Sequence, residues 1–465
     1  MPDSPNLLFI LADQLRAASL PSHGESQIET PNLDRLAAEG VLFRNAISTC
    51  PVCTPYRAML LTGRHPQTTG HVMNIVRTRH DEISIGDAFS RAGYRTAWIG
   101  KWHLHTGSFP QIDGPDIVPE GRPRLGFDHW RGYNFHMTYF DGWVNNGPSS
   151  NEQWQGYETD ALSRLARDFI DREDGRPFCL FVSPHQPHYT PGAFAPAECY
   201  RRVPDEVTLP ENVPAPVRAE SAQAYRHYLA MTVALDDMVG ELLAHLDRRG
   251  RAGDTLVVFT SDHGTQGGAR GIPFWHKLLP YEDCLHVPLI ARLPGVLAAD
   301  VAQDTLVAPV DLFPTLAGLC GAPVPSTIEG CDLSAAWRGE PGAFEQDALL
   351  TMNFSADYDY LVEGQEWRGV RTKDRGYTEW LNGRVELFDL LEDPLQMKNL
   401  ADDPSLSEER AHLRARLHDL MAARDDRLAP CSSYGSWLDD ERRIIANSSG
   451  PLGDPEADPD WSRFG

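Results

Sequence analysis

The chain has 465 residues, 41% of them apolar and 23% charged, with 38 Gly and 36 Pro. This is the make-up of an ordered globular protein, long enough for one large domain and a smaller one, and it excludes a disordered chain. Its 42 Lys and Arg against 66 Asp and Glu leave a net charge of −24, a surface that repels phosphate backbones and argues against nucleic acid as partner.

An anionic substrate must therefore be drawn in by a local cluster of cations inside a cleft. The N-terminus, MPDSPNLLFILADQ, has no basic leader region, and its apolar stretch from Leu7 to Ala12 stops at Asp13, so no signal peptide is expected. No later apolar run approaches the roughly 18 to 20 residues that cross a bilayer. Eight cysteines without small-domain spacing suit a reducing compartment. A soluble, cytoplasmic protein with no membrane contact is expected.

Leu7 to Ala12 reads as a first strand that runs into Asp13-Gln14, and Asn32 to Glu39 as a helix. In the segment CPVCTPYRAMLLTGR, Thr54 suits an N-cap, Pro55 the first helical position and Gly63 the stop. Cys53 would then sit just before a helix N-terminus, where the dipole favours negative charge and an activated nucleophile. Cys50-Pro51-Val52-Cys53 is also a CxxC, which leaves open a redox dithiol, half of a zinc site or an inert buried thiol. No second CxxC completes a zinc site, and the chain is far from thioredoxin size.

Further on come a helix from Ile85 to Ala92 and a strand from Thr96 to Ile99 that runs into Gly100-Lys101-Trp102-His103. From Phe109 to Tyr157 the chain is crowded with aromatics: Trp130, Tyr133, Phe135, Tyr139, Phe140, Trp143, Trp154 and Tyr157. They could stack on a sugar or aryl group, or equally form the core of a long insertion. A strand from Phe178 to Val182 leads into Ser-Pro-His185-Gln-Pro-His188, and Pro204 to Pro216 reads as a surface connection. A long helix, Ala222 to Arg249, ends at Gly250. The strand Leu256 to Thr260 runs into Ser-Asp262-His263-Gly, and Val287 to Ala291 is a further strand; Pro323 to Pro325 is another connection.

Alternating strands and helices of this kind predict an α/β fold with a large, mostly parallel sheet flanked by helices over residues 1–345. Short strands at Trp367 to Thr372 and Glu386 to Leu390, then a charged helix from Leu406 to Arg424, predict a smaller α+β unit over 346–430. The tail, 431–465, carries Trp437 and Trp461, costly if exposed, and is expected to pack on the body or on a second copy in a homo-oligomer.

Ligands bind beyond the carboxyl ends of parallel strands, and four of the predicted strands end in polar clusters. Any one alone is more simply a turn or cap; four together suggest a site. Asp13, Gln14, Asp262 and His263 offer carboxylate, amide and imidazole donors, a set that suits calcium or magnesium and, through the imidazole, manganese. If the two carboxylates were merely helix caps, they would lie at the ligand edge of the sheet without counter-charge.

Cys53-Thr54-Pro55-Tyr56-Arg57 with Thr62-Gly63 resembles the C-x-P-x-R…T-G signature of the sulfatases, in which the cysteine is oxidised to formylglycine. Gly100-Lys101-Trp102-His103 resembles the second motif of that family. TSDHG, Lys277…Tyr281-Glu282…Val287-Pro288-Leu289, Asp311-Leu312-Phe313-Pro314-Thr315 and ELFDLLEDPLQMKNLADDP follow in the family's order, so the likeness spans residues 6 to about 404. It implies an alkaline-phosphatase-like fold and a divalent metal, calcium first with manganese or magnesium as alternatives. The metal would be held by Asp13, Gln14, Asp262 and His263 and by an oxygen of the hydrated formylglycine made from Cys53. Gln14 and His263 stand where many sulfatases carry Asp and Asn. The resulting DQ…DH set is also similar to phosphonate monoester and phosphodiester hydrolases.

The resemblance further implies that one hydroxyl of the aldehyde hydrate, lowered in pKa by the metal, attacks sulfur, and that loss of the other hydroxyl's proton expels sulfate and restores the aldehyde. His103 is the implied base. Arg57 orients the hydrate, Lys101, Lys277 and His185 surround the sulfate oxygens, and His185 or Lys277 protonates the leaving oxygen. His105, His188 and His276 lie beside these positions and are unmatched. The expected activity is hydrolysis of a small-molecule or saccharide sulfate ester, after maturation by a formylglycine-generating enzyme. The alternatives are a phosphonate monoester or phosphodiester hydrolase with the same site, and a catalytically silent binding protein of the same fold.

Overall fold

The computed structural model describes residues 4–106, 117–147, 150–172, 174–354 and 364–464. Among the described residues, ten strands precede residue 310: β1 (Asn6–Ala12), β2 (Val41–Ala46), β3 (Arg95–Lys101), β4 (His129–Tyr133), β5 (Trp143–Asn145), β6 (Asn151–Gln153), β7 (Phe178–Ser183), β8 (Thr255–Ser261), β9 (Leu289–Arg292) and β10 (Val301–Val307). Eight of them form one sheet in the order β10-β2-β9-β8-β1-β7-β3-β4, and β5 and β6 pair as a separate hairpin.

Every residue of β1, β7 and β8 is buried, the continuous apolar run of strands covered on both faces. The two faces of β1 part the core by the two-residue period. Leu8, Ile10 and Ala12 pack with the helices Pro31–Ala38, Glu158–Ile170 and Arg218–Arg248; Leu7, Phe9 and Leu11 pack with Cys53–Thr62, Ile85–Arg91 and Pro309–Cys320. The long helix starts four residues before the predicted Ala222, at Arg218, and stops where Gly250 takes φ 67°.

The sheet is parallel except at one place. The strand predicted at Val287 to Ala291 is β9, which begins two residues later and runs antiparallel to both β8 and β2. A four-stranded antiparallel sheet follows, β11 (Leu349–Asn353), β12 (Trp367–Arg371), β13 (Arg375–Trp380) and β14 (Val385–Asp389), with the helix Ser407–Ala422 laid on it through Leu413 and Leu417.

The tail packs on the body. The Arg79 guanidinium donates to the carbonyls of Ile444, Gly453 and Asp454 at 3.0–3.1 Å, and Ile444 is fully buried. Trp461 remains 39% exposed, but its ring lies under the guanidinium of Arg91 at 4.4 Å.

Candidate active site

The four strands that end in polar clusters are neighbours, β8-β1-β7-β3, so their carboxyl ends meet on one edge of the sheet. Register ties two of the clusters directly. Ala12 lies opposite Ser261, the Asp262 amide donates to the Ala12 carbonyl, and the Gln14 amide donates to Asp262 Oδ1 at 3.1 Å. Gln14 (φ 66°) and His103 (φ 59°) both hold left-handed backbone conformations just past strand ends, local strain of the kind stored where a site demands a sharp turn. Gly100 is required for close packing, since a Cβ there would lie 2.2 Å from the Ser183 carbonyl oxygen of β7.

Cys53 is delivered from the other layer. It is the first residue of the helix Cys53–Thr62, with Val52 as N-cap, rather than the residue before it. Thr54 does not cap: its hydroxyl donates to the carbonyls of Asn74 and His103, and its amide to Asn74 Oδ1. Pro55 is accepted at the third position because the first-turn amides have no intrahelical partner. All ten residues of this helix are buried, which fixes the thiol in place.

One ligand atom each from Asp13, Cys53, Asp262 and His263 lies within 4.8 Å of the others. His263 Nε2 is 3.1 Å from Cys53 Sγ, 3.6 Å from Asp13 Oδ1 and 3.5 Å from Asp262 Oδ1. On its far side His263 Nδ1 meets the Gly264 carbonyl at 2.9 Å, the outer contact that leaves Nε2 for the cluster. Two carboxylates and an imidazole so arranged fit a divalent ion. Gln14 lies beside them with its amide engaged at both ends, Nε2 to the Trp275 carbonyl and Oε1 to the Tyr189 amide, each at 2.9 Å.

Both carboxylates have buried counter-charges. Lys101 Nζ bonds Asp13 Oδ2, and Arg57 Nε and Nη2 both bond Asp262 Oδ2, all fully buried. Burial opposes the Asp13 charge, but Lys101, His188, His263 and Arg57 outweigh it and hold the carboxyl well below its usual range. Arg57 also donates to the Lys101 carbonyl and to Ser183 Oγ, tying the helix that starts at Cys53 to β3 and β7.

Lys277 Nζ lies 3.1 Å and Lys101 Nζ 3.6 Å from Cys53 Sγ. Burial raises the thiol's pKa, and the two ammonium groups bring it below the ordinary value. Cys50 differs: it is buried with Val52, Met59 and the four-stranded sheet, its thiol pushed up to about 12 by burial, and both cysteines are free. The CxxC is thus split between an apolar and a polar environment.

His103 is buried, with Nδ1 unpartnered among the described residues. Burial, Lys101, Arg57 and Lys277 hold it well below 6.5, a neutral imidazole able to accept a proton. His185 follows β7, with Nδ1 against Tyr133 Oη at 2.7 Å and Glu158 Oε1 at 3.2 Å, and Nε2 buried without a partner. His188 is also buried, its Nδ1 unpartnered, close enough to act on Asp13. His105 sits apart, bridged to Arg77.

Most of the aromatic stretch is core: Trp130, Tyr133, Tyr139, Trp154 and Tyr157 are buried, whereas Phe135 and Trp143 are half-buried, Phe140 is exposed, and Phe109 lies outside the described residues. Phe135 does reach the site, stacked on His103 at 4.8 Å and 4.9 Å from Lys101 Nζ. Two residues escape the sequence reading. Glu158 opens the helix Glu158–Ile170 with no motif around it, and Trp275, 48% exposed, is tied to Gln14 only through folding.

The sulfatase family model matches residues 5–322, and the model for the C-terminal part of N-sulphoglucosamine sulphohydrolase matches 271–423. The chain is 34% identical over 444 residues to the ulvan-active sulfatase of Formosa agariphila, covering 91% of this chain and 82% of that one. It is 26% identical to an N-acetylglucosamine-6-O-sulfatase of Bacteroides thetaiotaomicron, covering 95% and 90%. The fold is shared with the phosphonate monoester hydrolase of Agrobacterium radiobacter, with a TM-score of 0.71 at 20% identity, covering 97% and 99%.

Proposed function

The chain belongs to the sulfatase family of the alkaline-phosphatase-like superfamily and is a sulfuric ester hydrolase, and from that premise we propose that it cleaves a saccharide sulfate with a formylglycine made at Cys53 and a divalent ion beside it. The observation that carries this reading is the meeting of Asp13, Asp262 and His263 with Lys101 and Lys277 around the Cys53 side chain. With Arg57 and a divalent ion added, such a cluster would supply the concentrated positive charge that an acidic chain needs in order to hold a sulfate.

Asp13, Gln14, Asp262 and His263 would hold the ion, calcium by the weight of its oxygen donors. The ion and the aldehyde hydrate would together supply a hydroxyl acidic enough to act as nucleophile near neutral pH. Arg57, fixed by Asp262, Ser183 and the Lys101 carbonyl, orients that group and offsets its charge. Lys101 and Lys277 bind the sulfate oxygens. His103, kept neutral, takes the proton whose loss releases sulfate, and His185 presents its unpartnered Nε2 to the leaving oxygen.

Two things support a saccharide. The Bacteroides relative is named as an N-acetylglucosamine-6-O-sulfatase, and the exposed Trp275 ring stands two residues from Lys277, where a sugar face can stack. The phosphorus alternatives keep the same residues, because sulfuryl and phosphoryl groups share tetrahedral geometry. The test is kcat/KM for a saccharide 6-O-sulfate, an aryl sulfate, a phosphodiester and a phosphonate monoester. A sulfate ester should lead; a clear lead for either phosphorus ester contradicts the proposal.

A further inference from the structure

Glu158 is a fully buried carboxylate that the reaction as derived does not use. It is the first residue of the helix Glu158–Ile170, and its amide donates to the Tyr139 carbonyl, which fixes the helix start against the segment after β4. Its side chain points away from solvent into the polar edge of the sheet. Oε1 accepts the Tyr133 hydroxyl proton and lies 3.2 Å from His185 Nδ1; Oε2 accepts from Gln186 Nε2 at 3.2 Å. The His185 ring is stacked on Tyr133 and bordered by Phe135, His136 and Tyr139, so it has little freedom to turn.

His185 therefore has two unlike ends. Nδ1 faces a carboxylate, and Nε2 is buried with no hydrogen-bond partner among the described residues. Burial, Lys101 and Arg57 outweigh Asp13 and hold the ring well below 6.5, a neutral imidazole beside the cluster around Cys53. A buried polar nitrogen left open at a site edge is an atom awaiting a substrate group. Tyr133 is nearer to Nδ1, at 2.7 Å, but its phenol donates its hydrogen bond to Glu158 and is held neutral, chiefly by burial. Burial raises the Glu158 carboxyl to about 7, so it can carry a proton facing Nδ1.

We propose that Glu158 is a positioning residue that holds the neutral His185 ring through Nδ1 and keeps the ring proton on Nε2, so that Nε2–H can protonate the leaving oxygen of the sulfate ester. The inference rests on the sulfate-ester reading of the site. In the step it serves, the bond from sulfur to the leaving oxygen breaks with its electron pair staying on oxygen. The Nε2–H bond breaks as that oxygen takes the proton. Nδ1 takes the Glu158 carboxyl proton as Nε2 gives up its own, so His185 stays neutral, and Glu158 regains a proton from solvent after product leaves. A sugar alkoxide needs this proton far more than an activated phenolate does, so loss of the Glu158 carboxyl must appear as a dependence on the leaving group.

The experiment compares the mature wild-type enzyme with Glu158→Gln and Tyr133→Phe on a series of substituted phenyl sulfates, from 4-nitrophenyl sulfate to phenyl sulfate. Glu158→Gln should lose about 100-fold in kcat on phenyl sulfate and no more than about threefold on 4-nitrophenyl sulfate, the span expected when general-acid help is withdrawn. Tyr133→Phe, which leaves the Glu158–His185 pair in place, should lose by similar factors on both. If Glu158→Gln does not accumulate as folded protein, Glu158→Asp is measured instead and should steepen the leaving-group dependence in the same direction. An equal loss on all esters, as a merely structural role gives, overturns the proposal, and so does a steepening seen with Tyr133→Phe alone. Wild-type enzyme without activity on any sulfate ester overturns the sulfate reading, and the role of Glu158 falls with it.

Discussion

Lys277 and Cys53 are 224 residues apart in the chain, yet Lys277 Nζ lies 3.1 Å from Cys53 Sγ, both buried. A lysine brought out of water to meet one sulfur signals a position where negative charge gathers, since an ammonium group is rarely buried without such a partner. Lys101 approaches the same sulfur from β3, so the charge is met from two directions.

The metal reading predicts that Asp262→Asn lowers kcat/KM by more than about 100-fold, the scale of a metal's contribution to charge stabilisation. It should also lower the bound metal content, counted by inductively coupled plasma mass spectrometry. The Asn variant is preferred to Asp262→Ala. Asp262 is the acceptor for two Arg57 nitrogens, and its truncation strands a buried guanidinium at a cost of about 3–5 kcal/mol. Full activity in Asp262→Asn, or in chelator-stripped enzyme, contradicts the assignment.

The saccharide reading predicts a split in specificity at Trp275. Its carbonyl anchors Gln14, but its ring is 48% exposed and contributes little to the core. Trp275→Ala should therefore leave turnover of 4-nitrophenyl sulfate near wild type and lower kcat/KM on a saccharide sulfate about three- to tenfold, the worth of one aromatic contact. Equal effects on both substrates would remove Trp275 from the sugar site.

One buried cation makes three of the contacts between the tail and the body. Arg79, 3% exposed, satisfies three tail carbonyls, and Arg79→Ala should cost about 3 kcal/mol locally and release the segment around Arg442 and Arg443. Limited trypsinolysis followed by intact mass reads this directly: rapid cleavage there in the variant and slow cleavage in wild type. Identical cleavage rates would show that the tail's other contacts, such as Asn447 to the Thr68 carbonyl and Ser448 to the Gln67 carbonyl, hold it without Arg79.

Much of the site was legible because its parts follow strands whose apolar runs are unmistakable. Leu7–Ala12, Phe178–Val182 and Leu256–Thr260 announce β1, β7 and β8, and the polar clusters after them point to one edge. What was not legible depends on pairing between distant segments. The reversal of β9 is set by its neighbours β2 and β8, and nothing in Val287–Ala291 records direction. Glu158 reads as an acidic residue in the first turn of a helix, an ordinary place for one; its meeting with His185 is made by tertiary packing. The aromatic stretch was ambiguous because stacking platforms and cores use the same residues, and burial alone separates them. Thr54 looked like a cap, but the carbonyls of Asn74 and His103 compete for its hydroxyl and prevail.

The central claim is that Cys53 becomes the nucleophile, and the most direct measurement is the mass of the tryptic peptide from Asn45 to Arg57, which contains both Cys50 and Cys53. In active protein made with a formylglycine-generating enzyme, fragment ions should show an aldehyde oxygen in place of the thiol at position 53 and an intact thiol at position 50. Cys53→Ala should then be inactive and Cys50→Ala active, since Cys50 faces the apolar cluster. Full activity with an unmodified thiol at position 53 would contradict the account.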